Sequence, residues 1–308
     1  MNMNFSLSRS NLERSPFNLS NREGYLAWRD HKLDSYPTRL EELVVEIGDP
    51  RELKESQFQA LQQRCRKANM AIYIGTTGQD PDPEIPLSIS RRFGVCGLNR
   101  NWLADETGLT SLRVVNGGTR QHYIPYTNRA IKWHTDGYYN AAERQIHSLL
   151  LHCVQSAASG GENALMDHEI VYILLRDENP EWIQALMQPE AMTIPPRMDG
   201  QGEVARKTET GPVFSITPTG DLHMRYSMRA RNVVWADDPL TLQARARLQQ
   251  LLESPLPYIY RGRLEPGMGL IGNNLLHDRS AFDDDDQHER HLYRARYFER
   301  LAGTSVLI

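Results

Sequence analysis

The chain of 308 residues has little of what marks several large protein classes. Basic residues are not in excess: 35 Lys+Arg stand against 39 Asp+Glu, a formal net charge of -4. That balance speaks against a nucleic-acid partner or an anionic membrane surface, either of which calls for a basic surplus or stripe. No apolar run approaches the ~18 residues that cross a bilayer. The opening MNMNFSLSRSNLERSPF lacks the charged head and continuous apolar stretch of a signal peptide. Cysteine is scarce, and Cys65, Cys96 and Cys153 are odd in number and far apart, which excludes a disulfide framework and a zinc knuckle. They read as free thiols. There is no internal repeat, low-complexity tract or heptad pattern. What remains is 40% hydrophobic and 24% charged, the composition of a cytoplasmic globular protein long enough to bury a full core.

Along the chain, residues 1–22 are polar and rich in Ser and Asn, and read as an extended arm. Helices are predicted over about 23–33 and 51–68, the second with Leu53, Phe58, Leu61 and Cys65 at helical spacing. MAIYIG (70–75) follows as a buried strand, and IPLSISRRFG as a helix stopped by Gly94. From Ser111 onward strands dominate: SLRVV, RQHYI, AIKWH, QIHSLLLHCVQ, ENALMD, MTIPP, PVFSI, DLHMRYS, NVVWA, PYIYRGR, GLIGNN and HLYRARYF. Helices interrupt them at about 169–175 with 180–187, and at 239–253. The polar stretch 197–211 reads as a loop or lid. Strands without regularly alternating helices favour a mainly β sandwich or jelly roll with helices packed outside.

The most informative segment is Trp133-His134-Thr135-Asp136-Gly137. Residues two apart on a strand face one side, so His134 and Asp136 can present imidazole and carboxylate to a single point. With 10 His and 39 acids, this spacing is expected about once by chance, so alone it is weak. Near the C-terminus GLIGNNLLHDRSAF delivers His277, followed by Arg290, Arg294 and Arg296. Two imidazoles and one carboxylate form the facial triad suited to non-haem Fe(II), with open positions for substrate and oxygen. An arginine fork beyond the metal suits a dicarboxylate. His147 and His152 read as packed residues of an apolar strand, His288 as part of a solvated acidic loop, and His291 as pointing away from Arg290. The run of four Asp at 283–286 lacks the spacing and glycine of a calcium loop.

Taken in order, WHTDG, SGGEN (159–163), NNLLHDR and the Arg290/Arg294 pair resemble the taurine dioxygenase group of Fe(II)/2-oxoglutarate-dependent dioxygenases. The resemblance extends to the opening QALQQRCRKANMAIYIG and ISRRFG, and spans nearly the whole chain. It implies one dioxygenase domain over 1–308, built on a double-stranded β-helix (jelly roll, clavaminate synthase-like) core with flanking helices. It further implies Fe(II) on His134, Asp136 and His277, 2-oxoglutarate anchored by Arg290, and O2 as co-substrate. The second arginine, Arg294, would meet an anionic group on a small-molecule substrate, or else pair with an internal acid. Asn163 stands where the group usually carries Thr against 2-oxoglutarate, and its amide can still donate a hydrogen bond. A simpler role for Asn163 is to cap the turn after Gly160-Gly161. Ala130 replaces the Asn that taurine-specific members place before the first histidine, which speaks against taurine. The halogenating members lack the carboxylate, so Asp136 favours hydroxylation, with desaturation as a variant.

Two rivals stay open at this level: a metal oxygenase or hydrolase needing no cosubstrate, which leaves Arg290 idle, and a non-catalytic 2-oxoglutarate/iron sensor. Substrate choice is expected in the loops at 76–82 and 197–211 and at Tyr138-Tyr139. Many relatives self-associate, so a homo-oligomer is compatible with the resemblance.

Overall fold

The computed structural model describes residues 10–99, 108–115, 117, 121, 123–198, 202–229 and 233–306. The helices among them are α1 (Arg22–Leu33), α2 (Glu55–Ala68), α3 (Glu84–Arg92), α4 (His168–Glu178), α5 (Pro180–Leu186) and α6 (Pro239–Glu253). The strands that build the two principal sheets are β1 (Val44–Glu46), β2 (Met70–Ile74), β3 (Thr110–Leu112), β4 (Ile131–His134), β5 (Ser148–Gln155), β6 (Asn163–Met166), β7 (Tyr260–Gly262), β8 (Met268–Gly272), β9 (Leu276–Arg279) and β10 (His291–Tyr297). The major sheet has the order β1-β2-β8-β5-β10-β3 and the minor sheet β7-β6-β9-β4. Only the β1–β2 pair among these is parallel.

The central strand β5 shows why the sequence folds this way. SLLLHCVQ is apolar on both faces, as a strand buried on both sides must be. Leu149, Leu151 and Cys153 face the space between the sheets, in one buried cluster with Leu165, which lies opposite His277 on the minor sheet. Leu150 and Val154 face the other way, toward Leu61 and Cys65 of α2, Ile89 of α3 and Phe93 at its C-cap. On β10 the same alternation sends Leu292 inward and Tyr293, Ala295 and Tyr297 outward, so Arg294 and Arg296 follow Leu292 to the interior. Two sheets face to face with helices outside make a jelly roll, the mainly β architecture that the sequence predicts.

Several elements differ from expectation. The 51–68 helix is broken: Pro50–Glu52 is a separate 3-10 turn closed by the Asp49 side chain, and Gln57 accepts from the Lys54 N–H (3.1 Å) to start α2 anew. RQHYI is no strand where it is described; Ile124–Tyr126 is a 3-10 turn around Pro125, while residues 120 and 122 lie outside the described residues. The 197–211 stretch is not a plain loop. Arg197–Met198 pairs with Val204–Arg206 as a hairpin, and Glu209–Gly211 adds to Met192–Ile194, with residues 199–201 outside the described part. The N-terminal arm does not simply cross the surface: residues 1–9 are outside the described part, 10–14 are helical, and Phe17 is wholly buried against Trp28 and Tyr172. Lastly, GLIGNN does not carry His277 itself. After β8 the chain turns at Asn273-Asn274, with Asn274 at φ 47, and crosses from the major sheet to the minor one, where β9 holds His277.

Candidate active site

Two strands of the minor sheet bring the histidines together. In the antiparallel pairing of β9 with β4, His277 lies directly opposite His134. Directly opposed side chains are nearest neighbours across a ladder, and the two rings sit 4.3 Å apart. Each Nδ1 lies within 3.0 Å of a backbone carbonyl two residues earlier, Lys132 O for His134 and Leu275 O for His277. A carbonyl only accepts, so both Nδ1 atoms are the donors, which leaves the Nε2 lone pairs for another partner.

Asp136 reaches the same point from the turn after β4. Gly137 makes that turn with φ 68, and a Cβ there would come within 2.4 Å of Ile146. Asn274 clamps the backbone of Asp136 from both sides: its Oδ1 accepts from the Asp136 N–H (2.8 Å) and its Nδ2 donates to the Asp136 carbonyl (3.0 Å). Thr135 is held in turn by main-chain and side-chain bonds to Tyr226. The result is a cluster in which one ligand atom each from His134, Asp136 and His277 lies within 4.8 Å of the others.

The electrostatics of the cluster suit a cation. Burial pushes the Asp136 carboxyl up, but Arg294 (3.2 Å) and Arg296 (3.9 Å), then the two imidazoles, hold it well below the usual carboxylate range. Arg294 occupies only Oδ1; Oδ2 is buried and has no hydrogen-bond partner. A buried carboxylate oxygen left bare is costly unless something else binds it. Removal from water, then His277, lowers His134 to about 3. A neutral imidazole is the form that ligates metal. Two free Nε2 lone pairs and one bare carboxylate oxygen therefore fit a divalent metal of the borderline N/O class, Fe(II) among them.

The cluster opens into a pocket of about 760 Å³. Arg294 lines it with one guanidinium nitrogen on Asp136 and a buried Nε that has no partner. The expected internal acid for Arg294 is thus Asp136 itself. Arg296, deeper, donates to the Tyr139 hydroxyl (3.0 Å).

Arg290 is placed elsewhere, and does not share a partner with Arg294. It lines a narrow cleft with Asn163, Gly161, Arg263 and Leu292. Its guanidinium lies over the Phe282 ring (5.0 Å), while Asp284 accepts from its backbone N–H rather than from its side chain. Burial lowers Arg290 to about 10. Gly161, at a left-handed φ of 78, lies beside it, and a Cβ there would stand 3.4 Å from the Arg290 Nε. Asn163 begins β6 rather than capping a turn, and donates to the Asp278 carbonyl (2.7 Å).

The remaining histidines take the bland roles. The His152 Nδ1 lies 3.0 Å from the Tyr73 hydroxyl, His147 packs on His223, and exposed His288 lies on Asp285. His291 contacts Ser111 and Arg113, away from the cluster. Sequence reasoning missed Asn274, whose signal was the Asn pair just before the second histidine. It also missed Arg279, buried on β9 two residues after His277 and donating to the Thr127 and Arg129 carbonyls, which ties the pocket wall to β9.

Comparison with known proteins bears on the family and the fold. Two similar proteins are named uridine-5'-phosphate dioxygenase. One, from Amycolatopsis sp, is 31% identical over 172 residues, covering 54% of this chain and 60% of its own length; the other, from Streptomyces sp, is 32% identical over 203 residues, covering 62% and 69%. The chain thus spans about three fifths of the first relative. Among solved structures, a non-heme iron oxygenase, OrfP, in complex with Fe and alpha-ketoglutaric acid superposes with a TM-score of 0.57 at 17% identity, covering 80% of this chain and 81% of that one. An asparagine oxygenase in complex with Fe(II), 2S,3S-3-hydroxyasparagine and succinate gives 0.54 at 14%, covering 82% and 93%. At such identities these two speak for the fold. The model of the taurine catabolism dioxygenase TauD, TfdA family matches residues 37–296, most of the chain and all of the cluster above, and the chain belongs to that family.

Proposed function

We propose that the chain, as one domain working in the cytoplasm, is an Fe(II)- and 2-oxoglutarate-dependent dioxygenase that hydroxylates a small anionic organic molecule. The observation that carries this reading is the His134/Asp136/His277 cluster, with its bare Asp136 oxygen and with His134 and Asp136 lining the pocket. Bound there, Fe(II) with 2-oxoglutarate supplies the oxidising power: one oxygen atom of O2 ends in succinate, the other in the substrate C–H bond, and CO2 leaves.

The residues of this chain do the rest. His134 and His277 are held in one tautomer by the Lys132 and Leu275 carbonyls, so no proton has to leave an Nε2 before it ligates. Arg294 pins Asp136 Oδ1 and keeps the carboxylate ionised without covering Oδ2. Arg290, buried with its fork unengaged by Asp284, is assigned the distal carboxylate of 2-oxoglutarate, with the Asn163 amide beside it. The free edge of Arg294 is assigned an anionic group on the substrate. The two relatives named for uridine-5'-phosphate make nucleotides the first class to screen.

The test is iron binding together with succinate release over a panel of nucleotides, amino acids and sulfonates. The expected result is one Fe(II) per chain and succinate that depends on 2-oxoglutarate. His277→Ala should lose both, and His291→Ala neither. Iron lost by His291→Ala and kept by His277→Ala would overturn the choice of third ligand. Binding of both iron and 2-oxoglutarate with no succinate from any substrate would make the protein a sensor.

A further inference from the structure

The pocket above the cluster is larger and more cationic than a small sulfonate or amino acid requires. At about 760 Å³ it falls in the range of sites for drug-sized ligands. Six arginines line it, at 129, 144, 197, 206, 229 and 294, against the carboxylates of Asp136 and Glu209. Tyr123, Tyr126, Tyr138 and Tyr139 supply flat apolar wall between them.

Arg206 is the arginine whose setting says most. It ends the Val204–Arg206 strand, which pairs with Arg197–Met198, and lines the pocket. One terminal nitrogen donates to the Pro195 carbonyl (2.6 Å), and the guanidinium lies over the Tyr139 ring at 5.5 Å. Its Nε is closed off from solvent and has no hydrogen-bond partner. Burial lowers its pKa, and Arg197 adds to the effect. A guanidinium fixed on two sides, with a buried donor unused, is preorganised for an oxyanion that takes parallel N–H bonds. Arg225, also near the hairpin, is different: its nitrogens are spent on the Tyr138, Met192, Gly211 and Glu209 carbonyls, which makes it a staple of the hairpin base.

Tyr139 joins Arg206 to the reaction centre. Its ring lies under Arg206, while its hydroxyl accepts from Arg296, which reaches on toward Asp136. A ligand lying along this ring therefore has a cation at one end and the metal cluster at the other. Rings stack on such a face.

We propose that the 197–206 hairpin carries a phosphate subsite, in which Arg206 holds the phosphate of a ring-bearing phosphate monoester of the nucleoside monophosphate class while the rest of the molecule runs along Tyr139 toward His134, Asp136 and His277. The subsite rests on the dioxygenase reading for the direction of the reacting carbon, and stands without it as a binding site. Arg206 is a specificity residue here: it selects the phosphorylated compound over the free nucleoside and does not touch the metal.

The experiment is calorimetric binding to the metal-free full chain, using uridine 5'-monophosphate, adenosine 5'-monophosphate, the two free nucleosides and inorganic phosphate as probes. At least one monophosphate should bind the native chain, and its nucleoside at least about tenfold more weakly. Arg206→Met should weaken the monophosphate by about 10–100-fold, as expected from the loss of charged hydrogen bonds, and leave the nucleoside within about twofold. Arg206→Lys should recover part of the loss, which guards against a variant that merely misfolds. Equal weakening of nucleotide and nucleoside, unchanged nucleotide binding in Arg206→Met, or no binding of either monophosphate would each overturn the subsite. Because no iron or 2-oxoglutarate is present, a protein that binds monophosphates through Arg206 yet releases no succinate refutes the dioxygenase reading and leaves the subsite intact.

Discussion

Single side chains in this site are explained by what each one lacks. Asp136 lacks a partner on Oδ2, and Arg290 meets an aromatic ring where a cation of its burial would ordinarily meet an acid. An unpaired buried charge costs several kcal/mol, and the most direct relief for Arg290 is a carboxylate brought in from outside. The two arginines of β10 and its approach should then separate in a titration of 2-oxoglutarate into the Fe(II)-loaded protein. Arg290→Met should raise the 2-oxoglutarate requirement by about 10–100-fold, from losing ~1.5–3 kcal/mol of charged hydrogen bonding. Arg294→Met should spare 2-oxoglutarate and weaken an acidic substrate. The reverse pattern would exchange the two roles and remove the argument for an acidic substrate at Arg294.

At the scale of strands and turns, what was readable in the sequence is what repeats along it. The two-sided apolar run of β5, the alternation on β10 and the Pro239 start of α6, capped by Asp238, all lie in local pattern, and the structure keeps them. His134, Asp136 and His277 stood out in the sequence because two of them share one strand end and the third closes an apolar run. Their convergence did not, since that depends on the register of β9 against β4 and on the crossover at Asn273-Asn274 between sheets. Phe17 was missed for a related reason: one aromatic in a polar arm has no periodicity, and its burial is decided by Trp28 and Tyr172. The hairpin at 197–206 is polar and short, so nothing in its composition marks it as a strand pair. The glycine of WHTDG, by contrast, has a role that only the turn explains. Gly137→Ala adds a Cβ into Ile146 at a left-handed φ, a strain of order 1–3 kcal/mol. The turn should relieve it by moving Asp136, so Fe(II) affinity should fall while His134 and His277 stay opposed. Equilibrium dialysis of Fe(II) against Gly137→Ala checks this, and native affinity in the variant would show that the turn does not aim the carboxylate.

For the molecule as a whole, the outstanding electrostatic feature is how many histidines are held neutral inside it. Burial lowers His152 to about 4, and burial with the neighbouring Arg113 and His152 lowers His291 to about 4; His147, His168 and His223 are lowered in the same direction, burial again first. His152 and His291 lie on strands of the major sheet, His168 starts α4, and His147 packs on His223 of a separate strand pair, so they report on global unfolding rather than on the opening of one loop. In the unfolded chain each titrates near the ordinary 6.5. Between about pH 6.5 and 4 the unfolded chain therefore binds more protons than the folded one, and stability rises with pH across that window. It is complete above about 6.5 and is lost as pH falls toward 4. His152 alone, wholly buried, should account for about 3 kcal/mol of that loss. Urea unfolding of the metal-free protein at a series of pH values measures the slope, with metal removed so that ligation of His134 and His277 does not add to it. His152→Gln lowers stability at every pH by disturbing the contact with Tyr73, but it should also flatten the curve between 6.5 and 4, because a group that titrated only on unfolding has gone. If the variant's curve merely runs parallel to the native one, His152 takes up its proton in the folded protein as readily as in the unfolded chain, and the acid sensitivity of the fold must be assigned to the other buried histidines.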